Sequence, residues 1–236
     1  VLFRSEGDRL VEIGTGWGGF ALHAARKYGC QVTTTTISKE QYRFAVKLVE
    51  EQGLADRIRV LNDDYRDLQG SFDKLVSIEM IEAVGEQYFD EFFSKCSSLL
   101  RDHGMAAIQM ITIPDQHYER HLRTVDFIKR YIFPGSTIPS LTAVLQSVRD
   151  STNLRLRDLH DLTPHYAKTL ALWRDNFCAN WDKIRCQGFS DTFMRMWYYY
   201  LCYCEASFQE RYNGDVQVLF SKPRAGLPSH QRRLRG

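Results

Sequence analysis

Four glycines follow a short apolar run near the start of the chain, in the stretch VEIGTGWGGF at positions 11–20. Because glycine has no Cβ, such a loop turns tightly and lets the backbone approach a bound ligand closely. The spacing of Gly14, Gly16 and Gly19 fits the G-x-G-x-x-G pattern of dinucleotide-binding proteins, which perform hydride transfer. The same residues fit the G-x-G-x-G loop of enzymes that transfer a methyl group from S-adenosylmethionine. The loop alone therefore leaves two cofactors and two chemistries open.

A dinucleotide site needs a second feature, an acidic side chain about 20 residues further on that holds the ribose hydroxyls. That distance from Gly14 falls on the run of threonines at 33–36, and the nearest carboxylate belongs to Glu40. Glu40 lies on the following predicted helix rather than at the tip of the second predicted strand. The pattern therefore disfavours NAD.

Carboxylates and an aromatic residue follow the third predicted strand, in the sequence NDDYRD at 62–67. A carboxylate at this place can accept a hydrogen bond from the adenine amino group, and an aromatic ring can lie beside the base. Asp64, Tyr65 and Arg66 are therefore candidates for the adenine end of a cofactor. A solvated acidic turn is the alternative.

These candidates must be positioned by the strands and helices around them. Apolar and β-branched runs predict strands, and amphipathic stretches closed by glycine predict helices. The predicted strands are at 10–13, 30–38, 58–64, 72–78, 105–113 and 215–221, and helices are predicted at 20–28, 39–53 and 88–100. The alternation is typical of a doubly wound α/β sheet, which binds its ligands beyond the carboxyl ends of the strands.

The alternation of strands and helices stops at about 115–148, where we predict a helical insertion after the fifth strand. Its sequence VDFIKRYIFPGSTIPS at 125–140 concentrates apolar and aromatic residues before two prolines. The segment either covers an apolar substrate, since it follows a strand whose end faces the site, or supplies extra core. Two aromatic-rich helices are predicted further on, before the last strand.

Composition limits the partners of the chain. The net charge of +2 gives no support for nucleic acid, and no apolar run approaches the length of about 20 residues that spans a bilayer. Six scattered cysteines and the pair His117 and His121 do not form a metal-ligand pattern, so no metal is predicted. The end of the chain, 224–236, is basic and is predicted to be disordered, with attraction to anionic lipid as the alternative.

Five segments together carry a resemblance to a family: VEIGTGWGGFALHAA, TTTTISKEQ, NDDYRDL, FDKLVSIEMIEAVG and DFIKRYIFPGSTIPS. The chain resembles the cyclopropane-fatty-acyl-phospholipid synthases and their mycolic-acid relatives over about 7–223. The resemblance implies a Rossmann-like class I methyltransferase fold and one methyltransferase domain over those residues. It also implies that a methylene group from S-adenosylmethionine is added to a cis double bond of a lipid acyl chain, which forms a cyclopropane ring.

The resemblance also implies which residues bind the cofactor. Gly14, Gly16 and Trp17 would lie along its methionine part, with Glu12 supporting the loop. The family residues around the ribose are matched here by Thr36, Ile37 and Gln41. Those around the adenine are matched by Asp64, Tyr65 and Arg66.

In the family that the chain resembles, a bicarbonate ion acts as the base. The matching residues here are Glu82, Gln109, Tyr166 and the backbone of Ile111. Gln109 and Ala83 stand where the best-known members have histidines, so the chain resembles a glutamine-bearing branch; an amide can still donate to an anion. The family's cysteine ligand would precede Val1, so we expect the chain to be truncated at its N-terminus and the 236-residue form to be poorly active.

Three other functions stay open from the sequence. The cation formed on the acyl chain can instead give a methyl or methylene branch, and Glu79 beside Glu82 suits an N-methyltransferase of small amines. A non-catalytic lipid- or cofactor-binding module is the third. The resemblance implies unsaturated phospholipid acyl chains at a membrane surface as partners, a homodimer, and a cytoplasmic protein that is peripheral at the inner membrane surface.

Overall fold

The computed structural model describes residues 7–226, and within them the strands form one mixed sheet. The spatial order is β3-β2-β1-β4-β5-β7-β6. The strand bounds are β1 Arg9–Ile13, β2 Gln31–Thr35, β3 Ile58–Leu61, β4 Phe72–Ile78, β5 Leu100–Thr112, β6 Arg155–Asp161 and β7 Gly214–Ser221. The first five strands pair in parallel, whereas β7 runs antiparallel to both β5 and β6.

Helices cover both faces of the sheet. They are α1 Gly19–Tyr28, α2 Lys39–Glu51, α3 Phe89–Leu99, α4 Asp115–Arg123, α5 Leu141–Ser151, α6 Thr163–Ala179, α7 Trp181–Arg185 and α8 Asp191–Gln209. One core cluster joins β1, β2 and β4 to α1 and α2, and another joins the sheet to α3 and α5. A third cluster lies between α6 and α8. No helix of the described part of the chain has the length and apolar character needed to cross a bilayer.

The strand order reverses between β1 and β4, which are hydrogen-bonded neighbours. In doubly wound sheets this reversal opens a crevice at the carboxyl ends of the two strands, and ligands bind there. Here the glycine loop follows β1, and Glu79 directly follows β4. A Cβ placed on Gly14 would lie 3.4 Å from the side chain of Met80, so the two loops are in contact.

Local sequence signals explain several of the boundaries. Gly29 lies at the C-terminal cap of α1, and the Ser38 hydroxyl accepts a hydrogen bond from the amide of Gln41 at the start of α2. Both caps are predicted from the sequence, and both are confirmed. The prediction for β4, at 72–78, also agrees with the structure at both ends.

The sequence prediction is wrong for other strands. The strands β2 and β3 end at Thr35 and Leu61, earlier than predicted, because the chain turns there into loops that line a cleft. The strand β5 begins earlier, at Leu100. The strand β6 is absent from the sequence prediction because it lies at the edge of the sheet, where most of its residues are exposed and show no apolar alternation.

The segment 115–148 contains α4, a π-helical turn at Ile128–Ile132, and most of α5. Val144 and Val148 of α5 are buried in the core cluster that also contains residues of α3. The residues between α4 and α5 lie beside a cavity described below. The division of the chain into a methyltransferase domain with this insertion stays a prediction, and residues 227–236 of the predicted basic tail lie outside the described residues.

Candidate active site

A cleft of about 540 Å³ lies at the carboxyl ends of the central strands. The loops after β1, β2, β3 and β4 form its walls. Its lining residues are Ile13, Gly14, Gly16, Thr35, Thr36, Ile37, Ser38, Gln41, Asp64, Tyr65, Arg66, Ile78, Glu79, Met80, Ala83, Val84 and Tyr88. The cleft thus includes eight of the ten residues predicted to hold the cofactor. We call it the cofactor cleft.

The glycine loop presents its backbone to this cleft. The amides of Gly14 and Thr15 both donate to the carbonyl of Thr35, at 3.1 and 2.9 Å, which ties the loop to the end of β2. Gly16 has a φ of +51°, and a Cβ added to it would meet nothing within 4 Å. Because Gly16 lines the cleft, its missing side chain leaves free space for a ligand.

Glu12, to which the resemblance gives the role of supporting the loop, is only 2% exposed. Its Oε2 accepts a hydrogen bond of 2.6 Å from the Thr34 hydroxyl, and the hydroxyls of Thr34 and Thr15 lie 2.7 Å apart. Burial raises the pKa of Glu12 from 4.5 to about 8, and the hydrogen bond from Thr34 only partly opposes this effect. Burial therefore favours the protonated form of this carboxyl group in the folded protein.

The buried carboxyl predicts a pH-dependent stability that Glu12→Gln removes. The folded pKa is raised, so the contribution of Glu12 is fully present below about 4.5 and is lost as the pH rises through about 8. Each unit between the two pKa values corresponds to about 1.4 kcal/mol. Urea unfolding over this pH range should show the parent losing stability relative to Glu12→Gln, because glutamine cannot ionise.

The control for this series is Glu40→Gln, which alters an exposed residue paired with Arg43 on α2. It should leave the pH dependence of the parent unchanged. If the free energy of unfolding of Glu12→Gln fell with pH as steeply as that of the parent, Glu12 would not be the buried, protonated group described here.

The predicted ribose residues lie together at the start of α2. The Thr36 hydroxyl donates to Oε1 of Gln41 at 2.8 Å, and both residues line the cofactor cleft. Ile37 also lines the cleft and is mostly exposed. The side chains of Thr36 and Gln41 therefore hold each other in place beside the cleft.

The predicted adenine residues, Asp64, Tyr65 and Arg66, also line the cofactor cleft. The Asp64 carboxylate accepts two hydrogen bonds from the Arg66 guanidinium, at 2.7 and 3.0 Å, and these bonds hold the pKa of Asp64 below its usual range. Tyr65 packs edge-on against the buried ring of Phe92, with ring centroids 5.6 Å apart. Asp64 thus has a cationic partner within its own loop.

Trp17 differs from the other predicted cofactor residues because it is not part of the cleft lining. It is 59% exposed, and its ring packs edge-on against Phe44 of α2, with centroids 5.3 Å apart. This contact turns the indole towards the helix surface. The role of Trp17 along the cofactor stays a prediction.

A second cavity, of about 360 Å³, lies beyond the ends of β4 and β5. Residues of α4, the π-helical turn, α6 and α8 enclose it. Its lining residues are Glu79, Glu82, Ala83, Ile111, Arg120, His121, Thr124, Asp126, Ile128, Phe133, Ser136, Ile138, Tyr166, Tyr200, Tyr203, Cys204, Ser207, Phe208, Tyr212 and Asn213. Aromatic and aliphatic side chains dominate its walls. We call it the apolar cavity.

The two cavities meet at Glu79 and Ala83, which line both of them. Glu79 has a φ of +50°, a conformation that non-glycine residues rarely adopt and that often marks functional positions. Its amide donates to the carbonyl of Gln109 at 2.9 Å, which fixes the turn after β4 against β5. The carboxylate of Glu79 is therefore held at the boundary between the cavities.

Two donors converge on the Glu79 carboxylate. The Gln109 side-chain amide donates to Oε1 at 2.9 Å, and the Tyr166 hydroxyl donates to Oε2 at 2.7 Å. The orientation of the Gln109 amide is set by Gln217, whose Nε2 donates to Oε1 of Gln109 at 2.9 Å. Burial raises the pKa of Glu79, and the bonds from Tyr166 and Gln109 oppose that rise.

Two further carboxyl groups lie near Glu79. Oε1 of Glu82 accepts the amide of Ile111 at 2.6 Å, and its Oε2 is buried without a hydrogen-bond partner among residues 7–226. Burial above all, and then the charges of Glu79 and Asp215, raise the pKa of Glu82 to about 8. Asp215 is 1% exposed and accepts from Gln109 at 3.2 Å; burial and Glu79 raise its pKa to about 7.

The structure thus brings together the four residues predicted to be catalytic, Glu82, Gln109, Ile111 and Tyr166. Their arrangement around Glu79 and Asp215 is not predicted from the sequence, which connects Glu79 only with an amine substrate. The sequence contains one indication that Glu79 belongs to a site, because it is the first residue beyond β4, where the strand order reverses. For Asp215 the sequence contains no such indication.

The two histidines of α4, His117 and His121, each contact a different part of the chain. The ring of His117 stacks on Tyr212, with centroids 5.6 Å apart, and Nε2 of His121 accepts the amide of Ile138 at 3.1 Å. In the part of the chain that the structure describes, no group of three or more potential metal ligands comes together.

Comparison with known proteins agrees with this architecture. A model of the family described as mycolic acid cyclopropane synthetase matches residues 2–218. The tuberculostearic acid methyltransferase UfaA1 of Mycobacterium tuberculosis is 41% identical over 207 residues, which are 88% of this chain and 48% of that protein. The cyclopropane-fatty-acyl-phospholipid synthase of Escherichia coli is 34% identical over 216 residues, 92% of this chain and 54% of that protein.

This chain therefore spans about half the length of the curated relatives it matches. Among solved structures, the mycolic acid cyclopropane synthase CmaA1 complexed with SAH and CTAB superposes with a TM-score of 0.85 at 31% identity. The superposition covers 94% of this chain and 80% of that one, and it confirms the predicted class I methyltransferase fold. The chain belongs to the mycolic acid cyclopropane synthetase family.

Proposed function

We propose that the cofactor cleft binds S-adenosylmethionine. Three features support this. Gly16 leaves free space in the cleft, and threonines stand where a dinucleotide site would have an acidic residue at the end of β2. Asp64 and Tyr65 line the cleft where the adenine would lie. The CmaA1 structure contains SAH, which is the product form of this cofactor. The residues present therefore fit the group, with the glycine loop against its methionine part and the start of α2 beside its ribose.

We further propose that the apolar cavity takes the unsaturated acyl chain of a phospholipid. Its walls include Ile128, Phe133, Ile138 and Phe208, which suit a hydrocarbon chain. The aromatic faces also attract positive charge, so they would stabilise a carbocation on the chain. The enclosure excludes water, which would otherwise capture such a cation.

The function proposed is the transfer of a methylene group to a cis double bond of this acyl chain, with formation of a cyclopropane ring. The observation that carries the proposal is the meeting of the two cavities at Glu79 and Ala83. A methyl group and a double bond held in adjoining cavities react at a distance set by the protein. S-Adenosylmethionine supplies an electrophilic methyl group when bound.

Ring closure also requires that a proton leave the new methyl group, and no oxidant or reductant is consumed. The carboxyl cluster at the boundary provides the groups that can accept a proton. Glu79 lines both cavities, and the backbone amide of Ile111 donates a hydrogen bond to Glu82 beside it. The chemistry asked of the protein is therefore positioning, exclusion of water and acceptance of one proton.

The bicarbonate ion predicted from the resemblance does not fit these residues. Each predicted donor already has a carboxylate acceptor: Gln109 and Tyr166 donate to Glu79, and Ile111 donates to Glu82. A further anion would lie beside the charged carboxylate of Glu79, which disfavours its binding. No step of the proposed reaction uses bicarbonate.

A second candidate product is a methylene or methyl branch on the acyl chain. It is favoured by UfaA1, whose name describes a methyltransferase and whose identity to this chain is 41%, against 34% for the Escherichia coli synthase. The same cation gives a methylene branch if a hydride shifts before the proton leaves. A saturated methyl branch would need a reductant in addition.

The surroundings of the apolar cavity support access from a membrane. Val125, Tyr131 and Phe133 are exposed at 71%, 56% and 51%, and Arg120 and Arg130 lie on the same segment. We propose a cytoplasmic protein that binds peripherally to the inner membrane surface and takes the acyl chain from there. The homodimer implied by the resemblance is part of the same proposal, and sedimentation analysis of the purified protein would test it.

The test of the function is product analysis with the purified protein. Incubation with S-adenosylmethionine and vesicles of an unsaturated phospholipid should give acyl chains one CH₂ heavier. A ring and a methylene branch have the same mass, so proton NMR must separate them, by upfield ring protons or by new olefinic protons. Unchanged lipid, with methyl transfer to amines instead, would refute the proposal.

A further inference from the structure

The strongest unexplained feature is the place of Glu79. Its carboxylate receives the two side-chain donors that the resemblance would give to an external anion, Gln109 and Tyr166. It lines both cavities, so it lies where the new methyl group and the acyl chain would meet. We propose that the carboxylate of Glu79 is the built-in catalytic base of this protein, and that it replaces an exchangeable anion. This inference rests on the proposed function.

The proton transfer balances without a further reactant. One oxygen of Glu79 takes a proton from the new methyl group of the cationic acyl chain, and the carboxylate becomes a neutral carboxyl group. The electron pair of the broken C–H bond forms the last C–C bond of the ring. The proton then leaves to solvent, which restores the carboxylate for the next turnover.

The three carboxyl groups differ in their hydrogen bonds, and this difference indicates which of them acts as the base. Glu82 and Asp215 each have one buried oxygen without a hydrogen-bond partner in the described part of the chain, a situation that favours the protonated form. Glu79 has a donor on each oxygen, which favours the charged form. When the environments of adjacent acids differ in this way, the acid whose charged form is better stabilised serves as the base.

The backbone gives a second reason to single out Glu79. At a φ of +50° the backbone of a non-glycine residue is strained, and such strain persists where the surroundings over-determine it. The amide bond to Gln109 and the two side-chain bonds fix this conformation. In this conformation the carboxylate of Glu79 lies at the boundary between the two cavities.

The test removes the carboxylate in two ways. Glu79→Gln keeps the size of the side chain, and Glu79→Gly suits the positive φ and leaves a gap bordered by the freed donors of Gln109 and Tyr166. In bicarbonate-free buffer the parent should form product, and both variants should lose about 10²- to 10⁴-fold in turnover, the usual worth of a general base. Formate or bicarbonate should restore part of the activity of Glu79→Gly.

Two readouts besides turnover accompany this assay. Calorimetry should give the same affinity for S-adenosylhomocysteine in the parent and both variants, and isotope-labelled bicarbonate should bind Glu79→Gly but not the parent. The turnover of the parent should fall at low pH as Glu79 becomes protonated, with Glu82, Asp215, Tyr166 and Tyr200 as the titratable groups that face it. The control is Glu119→Gln, which alters an exposed residue paired with Arg123 on α4 and should keep the parent rate.

The outcomes are distinguishable. A parent that requires bicarbonate, variants that keep the parent rate, or a loss that no anion rescues would overturn the role of Glu79 and leave the proposed function intact. A loss of affinity for S-adenosylhomocysteine in step with turnover would also overturn it, because the residue would then be structural. A parent that modifies no lipid under any condition would overturn the proposed function and this inference together.

Discussion

Replacing Gly16 with valine is expected to abolish binding of S-adenosylmethionine. Gly16 lines the cofactor cleft, and a Cβ added to it would project into space that no protein atom occupies within 4 Å. The branched side chain of valine would fill the volume that the methionine part of the cofactor needs. At a φ of +51° the new residue would also cost about 1 to 2 kcal/mol in backbone energy.

The matched control for this substitution is Gly53→Val. Gly53 has a φ of +63°, and its added Cβ would likewise meet nothing within 4 Å, but it lies past α2 and outside the cleft. Both variants carry the same backbone strain, so their stabilities should fall by similar amounts. Only Gly16→Val should lose the calorimetric signal for the cofactor.

Titration of the parent with NAD completes the experiment. The cleft has no carboxylate at the tip of β2 to hold ribose hydroxyls, so NAD should give no binding heat. Binding of NAD alone, or unchanged cofactor affinity in Gly16→Val, would show that the glycine loop does not bind S-adenosylmethionine.

The part of the cofactor site that the sequence predicts is the part formed by local patterns. The glycine loop, the cap at Ser38 and the acidic turn are each contained in a few consecutive residues, and parallel strands then bring them to one edge of the sheet. Trp17 is the exception. Its packing on Phe44 of the next helix depends on how α2 lies against the loop, which residue spacing does not encode.

The carboxyl cluster could not be predicted because its contacts join distant segments. Glu79 bonds to residues 30 and 87 positions away, and Gln109 bonds to Asp215 across 106 positions. Periodicity predicts which face of a strand is buried, but it does not give the partner of a polar side chain at the end of a strand. The resemblance assigns Gln109 and Tyr166 to one site, and it leaves out Glu79, to which both side chains donate.

The edge strand β6 was missed for a related reason. A strand inside the sheet has a run of buried residues, as β4 has at Leu75, Val76 and Ser77, whereas β6 lies at the edge and is mostly exposed. Its sequence, RLRDLHD, is consistent with a loop or a strand. Pairing with β7 decides between them, and β7 itself lies beside β5 in the antiparallel direction.

Tyr166→Phe is expected to lower turnover by about one to three orders of magnitude, the range for loss of one preorganised donor. The ring contacts of Tyr166 with Phe208 and Trp173 survive the change, so the fold should be unaffected. What disappears is the 2.7 Å hydrogen bond to Oε2 of Glu79. Burial raises the pKa of Tyr166 far above its usual value, so in the parent the hydroxyl remains a donor throughout the working pH range.

The sign of the accompanying pH effect follows from the charge state that the bond favours. A hydrogen bond to the carboxylate lowers the pKa of Glu79, so its removal raises that pKa. The rise of turnover with pH should therefore move to higher pH in Tyr166→Phe, and activity should recover partly in alkaline buffer. Tyr42→Phe, which removes a hydroxyl outside both cavities, should show neither effect. A uniform loss of turnover with an unshifted pH profile would show that Tyr166 acts in some other way than through the carboxylate of Glu79.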